Sequence, residues 1–137
     1  MTMRVSALMT TPVTTVRADD TAAAVTEALQ QRHLSFVPVT EGPQGHLLGI
    51  ISASDILHFQ AAGRDLKTVK AWQICAYKPL AVDADTTAVD VARLMVENQV
   101  HHVVVMKDLG VVGIVSSLDF VRQYIEREAG EREAGGG

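Results

Sequence analysis

The sequence predicts an α+β fold with α/β-type layers, made of two copies of one β-α-β-β-α unit related by a pseudo-two-fold. Three observations predict it. First, Val16-Arg17-Ala18-Asp19-Asp20-Thr21-Ala22 matches Val82-Asp83-Ala84-Asp85-Thr86-Thr87-Ala88 at an offset of 66, counted from Val16 to Val82. The same offset carries Val25 onto Val91, Val37 onto Val103 and Val39 onto Val105. Second, Gly49-Ile50-Ile51-Ser52-Ala53-Ser54-Asp55 meets Gly113-Ile114-Val115-Ser116-Ser117-Leu118-Asp119 at an offset of 64, counted from Gly49 to Gly113. Third, the lost residues fall in one turn, Glu41-Gly42-Pro43-Gln44-Gly45 against Lys107-Asp108-Leu109-Gly110. Length changes in a surface turn cost little, so a duplicated unit drifts there first.

Each copy opens on a short strand, Val13 to Val16 and Leu80 to Val82. Thr21 and Thr87 follow as N-caps, since a threonine oxygen can accept from first-turn amides. Apolar residues at helical spacing then mark a helix, with Val25, Ala28 and Leu29 in one copy and Val91, Leu94 and Met95 in the other. Two β-branched runs joined by a turn come next. They are Phe36 to Thr40 with Leu47 to Ser52, and His102 to Met106 with Val111 to Ser116. A second helix closes each unit, from about Ser54 to Ala62 and from about Leu118 to Glu128. The expected organisation is repeat 1 over 5–62, a linker over 63–72 with Gly63 as a helix stop, repeat 2 over 73–128, and a low-complexity, disordered tail over 129–137.

Composition narrows the function. Apolar residues make up 47% of the chain and aromatics only 4%, so the core is one of Val, Ile, Leu, Ala and Met. A net charge of −4 argues against a nucleic-acid partner, which needs a basic face. The start Met1-Thr2-Met3-Arg4 carries no apolar signal region, and no apolar run reaches the roughly 20 residues that span a bilayer. The expectation is a cytoplasmic protein with no membrane partner. Cys75 is the single cysteine, which removes internal disulfides and multi-cysteine metal sites. His101 and His102 are adjacent in a strand and point to opposite faces, and no His pair stands at helical i, i+4 spacing, so no metal is expected. Neither a Gly-x-Ser-x-Gly elbow nor a P-loop lysine motif is present, so no catalytic residues are assigned.

The chemistry concentrates at Ser52 to Asp55 and Ser116 to Asp119. In each copy a strand ends at Ser, and Asp follows in the first helical turn. Exposed amides and the helix dipole favour an anion there. The Ser hydroxyl can donate to a phosphate, and the Asp carboxylate can accept from ribose hydroxyls. The same four residues also read as a capping box that serves only the helix. His58 and Arg122 follow each Asp by three positions and could reach a phosphate, Arg122 better because it is permanently charged and can bond bidentately. Both also read as a solvated helix face.

The chain from about Val5 to about Ile125 resembles the CBS domain pair, or Bateman module. The resemblance rests on Leu8-Met9-Thr10-Thr11-Pro12-Val13-Thr14-Thr15-Val16, on His33-Leu34-Ser35-Phe36-Val37-Pro38-Val39, and on the doubled Gly-Ile-x-Ser-x-x-Asp sequence. It implies a regulatory module with no enzymatic activity. Such a module binds an adenine nucleotide or S-adenosylmethionine in the cleft between repeats, forms a homodimer through its helices and signals to an effector protein. It assigns ribose contact to Asp55 and Asp119, and phosphate contact to Ser52 and Ser116. The base would lie against Thr14, Thr15 and Val16 with Phe36, Val37 and Pro38, and in the second copy against Leu80, Ala81 and Val82 with His102, Val103 and Val104. Most of these are equally core strand residues. The second copy departs from the pattern where Cys75 to Lys78 lack a Met-Thr pair and where Val104 replaces Pro38. A structural pairing module with empty sites, and a regulatory fragment of a larger enzyme or channel, are the alternatives.

Overall fold

The computed structural model describes residues 2–135. After a 3-10 turn at Val5–Ala7, the elements are β1 (Val16–Arg17), α1 (Ala22–Arg32), β2 (Phe36–Glu41), β3 (His46–Ser52) and α2 (Ala53–Ala61). A short α3 (Ala71–Ile74) and β4 (Ala76–Tyr77) follow. The second repeat supplies β5 (Ala81–Asp83), α4 (Ala88–Asn98), β6 (His102–Lys107), β7 (Gly110–Ser116) and α5 (Ser117–Gly135). The β-α-β-β-α order expected for both repeats is therefore observed.

The chain divides into two compact units. A first-repeat unit holds Pro12–Pro79 together with the turn Lys107–Val111. A second-repeat unit holds the residues up to Thr11, Leu80–Met106 and the chain from Val112 onward.

The first-repeat unit is built on a sheet of order β1-β2-β3-β4. β1 and β2 run parallel, with Val16 opposite Val39, so α1 must cross between them. β2 and β3 are antiparallel, with Phe36 opposite Ser52 and Val37 opposite Ile51. Thr21 caps α1, its side chain accepting from the Ala24 amide at 3.1 Å. Val25, Leu29, Val37, Val39, Ile51 and Ile56 are buried between sheet and helices; at about 1.5–3 kcal/mol for each buried branched side chain, they are the main source of stability. The segment after α2 does not hang free. The Leu66 and Val69 carbonyls accept from the Ala23 and Ala22 amides at 2.9 and 2.8 Å. The chain then turns through α3 and pairs β4 with β3 at Gly49 and Ile50. The region read as a linker from the sequence thus includes residues that fold onto the start of α1.

The second-repeat unit repeats this plan with a sheet of order β5-β6-β7 and Val82 opposite Val105. Thr87 caps α4 by accepting from the Asp90 amide at 3.2 Å. Here the N-terminal segment occupies the place that residues 69–76 fill in the other unit. The Met3 carbonyl accepts from the Ala88 amide at 2.9 Å, and the Thr10 amide donates to Ile114 at 2.8 Å. Val5, Val91, Met95, Val103, Val105 and Val115 form the buried centre.

Two elements differ from expectation. β1 begins at Val16 rather than Val13, so Thr14 and Thr15 lie ahead of the strand. α5 continues through residues 129–135, where composition pointed to a disordered tail. Glu and Arg are good helix formers, and Arg127 meets Glu131 one turn on at 3.6 Å. The part of that expected tail at 136–137 lies outside the described residues.

Candidate functional site

In the first-repeat unit, register brings the expected residues to one end of the sheet. Phe36 opens β2 opposite Ser52, which closes β3, and β1 enters alongside in parallel. The Ala53 amide donates to the Ser35 carbonyl at 2.8 Å, which fixes the start of α2 beside the start of β2. Ser52 is the N-cap of α2. Its amide donates to Asp55 Oδ2 at 2.9 Å, and its hydroxyl accepts from the Asp55 amide at 3.2 Å. The capping box anticipated from Ser-x-x-Asp is thus formed. It uses one carboxylate oxygen of Asp55; Asp55 Oδ1 meets no donor among the described residues. Ser52 Oγ also lies 3.1 Å from Ser54 Oγ.

Phe36, Val37 and Pro38 are buried, as is Val16, whereas Thr14 is half-buried and Thr15 is exposed. Pro38 has no N–H to offer β1. The Thr14 carbonyl consequently accepts no hydrogen bond from the described residues. This also explains why β1 starts late.

In the second-repeat unit the matching positions are bonded differently. Val104 does carry an N–H, and it donates to the Leu80 carbonyl at 3.0 Å. The Ser116 amide donates to Asp119 Oδ2 at 2.8 Å, and the Ser116 hydroxyl donates to the same oxygen at 3.2 Å. Arg122 reaches Asp119 Oδ1 at 3.4 Å, with the arginine side chain 64% exposed and the aspartate 15%. Val82 and Val103 are buried, His102 is half-buried, and Ala81 is exposed at the start of β5. A groove of about 1030 Å³ opens between the N-terminal segment, α4 and α5 of this unit. Of the expected ligand residues it is lined by Asp119 and Arg122, and not by Leu80, Val82, His102 or Val103.

Other candidates separate from these ends. His58 and His101 are exposed. Cys75 is buried beside β3, and burial pushes its thiol up from the ordinary range against a weaker opposing hydrogen bond from Tyr77. A thiol held protonated is a poor nucleophile. Among the described residues no three His, Cys, Asp or Glu side chains gather in a way that could hold a metal ion. No described helix is long and apolar enough to cross a membrane. The sequence reading missed α3, β4 and the docking of the N-terminal segment. A signal for them existed, because the offset of 66 also carries Thr2-Met3-Arg4 onto Thr68-Val69-Lys70 and Leu8-Met9 onto Ile74-Cys75.

Two α+β repeats, each ending a hairpin strand in a Ser-x-x-Asp helix start, define a tandem-repeat fold. The CBS domain family model matches residues 5–62 and again 71–126, and the chain belongs to the CBS domain family. It is 32% identical over 117 residues to the mitochondrial CBS domain-containing protein CBSX3 of Arabidopsis thaliana, covering 82% of this chain and 57% of that one. It is 32% identical over 129 residues to the uncharacterized protein MJ0188 of Methanocaldococcus jannaschii, covering 93% and 46%. The chain therefore spans about half the length of these curated relatives. Among solved structures it is similar to the CBS domain pair of protein MJ0100 in complex with 5′-methylthioadenosine and S-adenosyl-L-methionine. That match has a TM-score of 0.83 at 23% identity over 93% of this chain and 99% of the other, a likeness of fold.

Proposed function

We propose that this protein is a regulatory module that binds an adenosine-containing ligand, namely AMP, ADP, ATP or S-adenosylmethionine, and signals its presence to an effector protein without catalysing a reaction. The observation that carries this reading is the end of the first-repeat sheet. There a carboxylate oxygen of Asp55 and the carbonyl of Thr14, neither of them bonded among the described residues, stand at the same end as the buried strand Phe36–Val37–Pro38. A carboxylate accepts from ribose hydroxyls, a main-chain carbonyl accepts from the adenine amino group, and a helix start tolerates a phosphate. The adenosine compounds bound by a protein of the same fold agree with this choice. A ligand transmits a signal only through different affinities for two states, so the effector must distinguish bound from free protein.

The test is thermal unfolding with and without millimolar AMP, ADP, ATP and S-adenosylmethionine, with GTP as control. A ligand at about 100 times its dissociation constant adds roughly 2.7 kcal/mol, a rise of several degrees. The double variant Asp55→Asn, Asp119→Asn keeps an oxygen for the capping amide, and it should lose the ligand-dependent rise. Absence of a rise with every adenosine compound removes the proposal.

A second reading, a structural module that pairs with another copy of itself, is favoured by a specific surface. On α4 and α5, Val96, Leu118, Val121, Tyr124 and Ile125 are each more than half exposed. The first repeat places Gln30, Ser54 and Gln60 where the second has Val96, Leu118 and Tyr124. Exposed apolar clusters of this kind mark association surfaces. On this reading Val121→Asp with Ile125→Asp shifts the protein to monomer in light scattering. An unchanged mass for the variant removes it.

A further inference from the structure

The first repeat shows what covers the start of its long helix, and the second leaves that place open. In the first-repeat unit two carbonyls meet the opening of α1. Val69 accepts from the Ala22 amide at 2.8 Å, and Leu66 accepts from the Ala23 amide at 2.9 Å. The chain reaches this place by turning back after α2, where Gly63 has a φ of 76°. The Leu66 side chain then packs, with Phe59, against the core. In the second-repeat unit only the first bond is kept. Met3 accepts from the Ala88 amide at 2.9 Å, but the Val89 amide, counterpart of Ala23, donates to no described residue. No described residue takes the place of Leu66 either, because α5 runs straight on where α2 stops and the chain turns back. Val89 is left 56% exposed on the groove of about 1030 Å³, whose apolar lining includes Met3, Leu8, Ala88, Ala92 and Phe120.

We propose that this groove is the docking site of an effector protein, and that it takes an extended segment carrying a leucine-like side chain with a carboxylate two residues before it. The leucine-like side chain fills the place that Leu66 fills in the first unit, and a main-chain carbonyl of the segment accepts from the Val89 amide, one of the helix-start donors with no partner inside the helix. The carboxylate follows from the rim. Arg122 and Arg127 line the groove where the first unit has His58 and Gly63. Their pairs with Asp119 at 3.4 Å and Glu131 at 3.6 Å leave the arginine side chains 64% and 70% exposed, so these pairs are weak. In the first unit Arg64 stacks on the Phe59 ring at 5.3 Å. The counterpart of Phe59 is Gln123, which offers no ring, and two guanidinium groups select a carboxylate there instead. The groove is separate from the apolar pairing surface, since at about 3.6 residues per turn Gln123 and Glu126 face away from Leu118, Val121 and Ile125. The inference rests on the proposed function only in requiring an effector, and not on adenosine as the ligand.

The experiment is an amide NMR titration of the isotope-labelled full chain. The probe is a capped peptide copying residues 61–67 with Arg64→Glu, and the control is the same peptide with Leu66→Ser. The expected result is saturable movement of the Val89, Ala92 and Gln123 amides, with the control weaker by about tenfold or more. In the protein, Val89→Glu should abolish binding. A carboxylate in the first turn suits the helix, so this variant folds, but it sets a charge in the apolar groove and against the peptide's own carboxylate. No saturable movement at millimolar peptide, an equal response to the control, or movement centred on Leu118, Val121 and Ile125 overturns the inference. AMP, ADP, ATP and S-adenosylmethionine are titrated separately. Binding of any of them by a chain that does not take the peptide overturns the docking site and leaves the proposed function standing. Peptide binding with none of the four bound upholds the docking site and removes the adenosine reading.

Discussion

Gly49 and Gly113 hold the same position in the two repeats, yet replacing each by alanine should have unequal effects. A Cβ on Gly49 would run into the backbone carbonyl of Ala76 and come within 3.0 Å of Cys75 Sγ. Backbone cannot step aside as a side chain can. β4 would have to move off β3, breaking the pairs Gly49 with Tyr77 and Ile50 with Ala76. Overpacking alone costs about 1–3 kcal/mol, and a loosened two-pair ladder adds roughly another kcal/mol. Gly49→Ala should therefore cost about 3 kcal/mol, a fall of roughly 10 °C or more in unfolding temperature for a chain this size. The atoms nearest a Cβ on Gly113 all belong to the Met9 side chain. Methionine is unbranched and re-packs readily, so Gly113→Ala should cost about 1 kcal/mol. Differential scanning calorimetry of the two variants decides the matter. Equal destabilisation, or a larger effect for Gly113→Ala, would refute the packing argument.

Three further predictions follow from local chemistry. Thr87→Ala removes the acceptor for the Asp90 amide and should cost about 1 kcal/mol in urea unfolding, with Thr87→Ser restoring most of it. In the turn after β6, Asp108 and Leu109 both have positive φ, 51° and 69°, and Leu109 is 83% exposed. Leu109→Gly should raise stability by about 0.5–1 kcal/mol in the same assay, because relief of the left-handed backbone outweighs the entropy glycine adds to the unfolded chain. The third concerns pH. Burial raises the Cys75 pKa in the folded state, so the unfolded chain loses its proton first as pH rises. Stability should be full below the unfolded thiol pKa of roughly 8.5 and should fall as pH climbs through the folded value. Cys75→Val should flatten that alkaline decline in pH-dependent unfolding, and an unchanged slope would show that other groups cause it.

Most of the fold was legible because the duplication checks itself. A pattern seen once in Val25, Ala28 and Leu29 and again in Val91, Leu94 and Met95 supports a helix more firmly than either alone. The caps at Thr21 and Thr87 were legible for the same reason, being local interactions. What was not legible is non-local. The offset of 66 marks Met3 to Thr10 and Val69 to Ala76 as counterparts, but it does not say that the first segment joins the second repeat's unit, with Thr10 against Ile114, while the second segment joins the first repeat's. The late start of β1 had a visible cause in Pro38, but its consequence depends on register: Val16 pairs with Val39, which puts the Thr14 carbonyl where the amide that Pro38 lacks would donate. The low complexity of 129–137 counted against a long final helix, yet the Arg127–Glu131 pair and neighbouring helix formers carry α5 on to Gly135.

At the candidate site, the sequence supplied both meanings of Ser-x-x-Asp, and the structure realises the capping meaning in the first repeat while leaving Asp55 one oxygen to spare. Arg122 could reach a phosphate or stand on a solvated helix face. In the structure its guanidinium lies against Asp119, the i, i+3 neighbour with which helical spacing pairs it, and the arginine side chain stays 64% exposed.

The central claim is tested most directly by equilibrium dialysis of nucleotide-free protein against radiolabelled AMP, ADP, ATP and S-adenosylmethionine in turn, with unlabelled GTP as competitor. The predicted result is saturable binding of at least one of the four, undisturbed by equimolar GTP and weakened about tenfold or more by Asp55→Asn. No saturable binding of any of them at millimolar concentration, or displacement by GTP as effective as by the unlabelled adenosine compound, would contradict it.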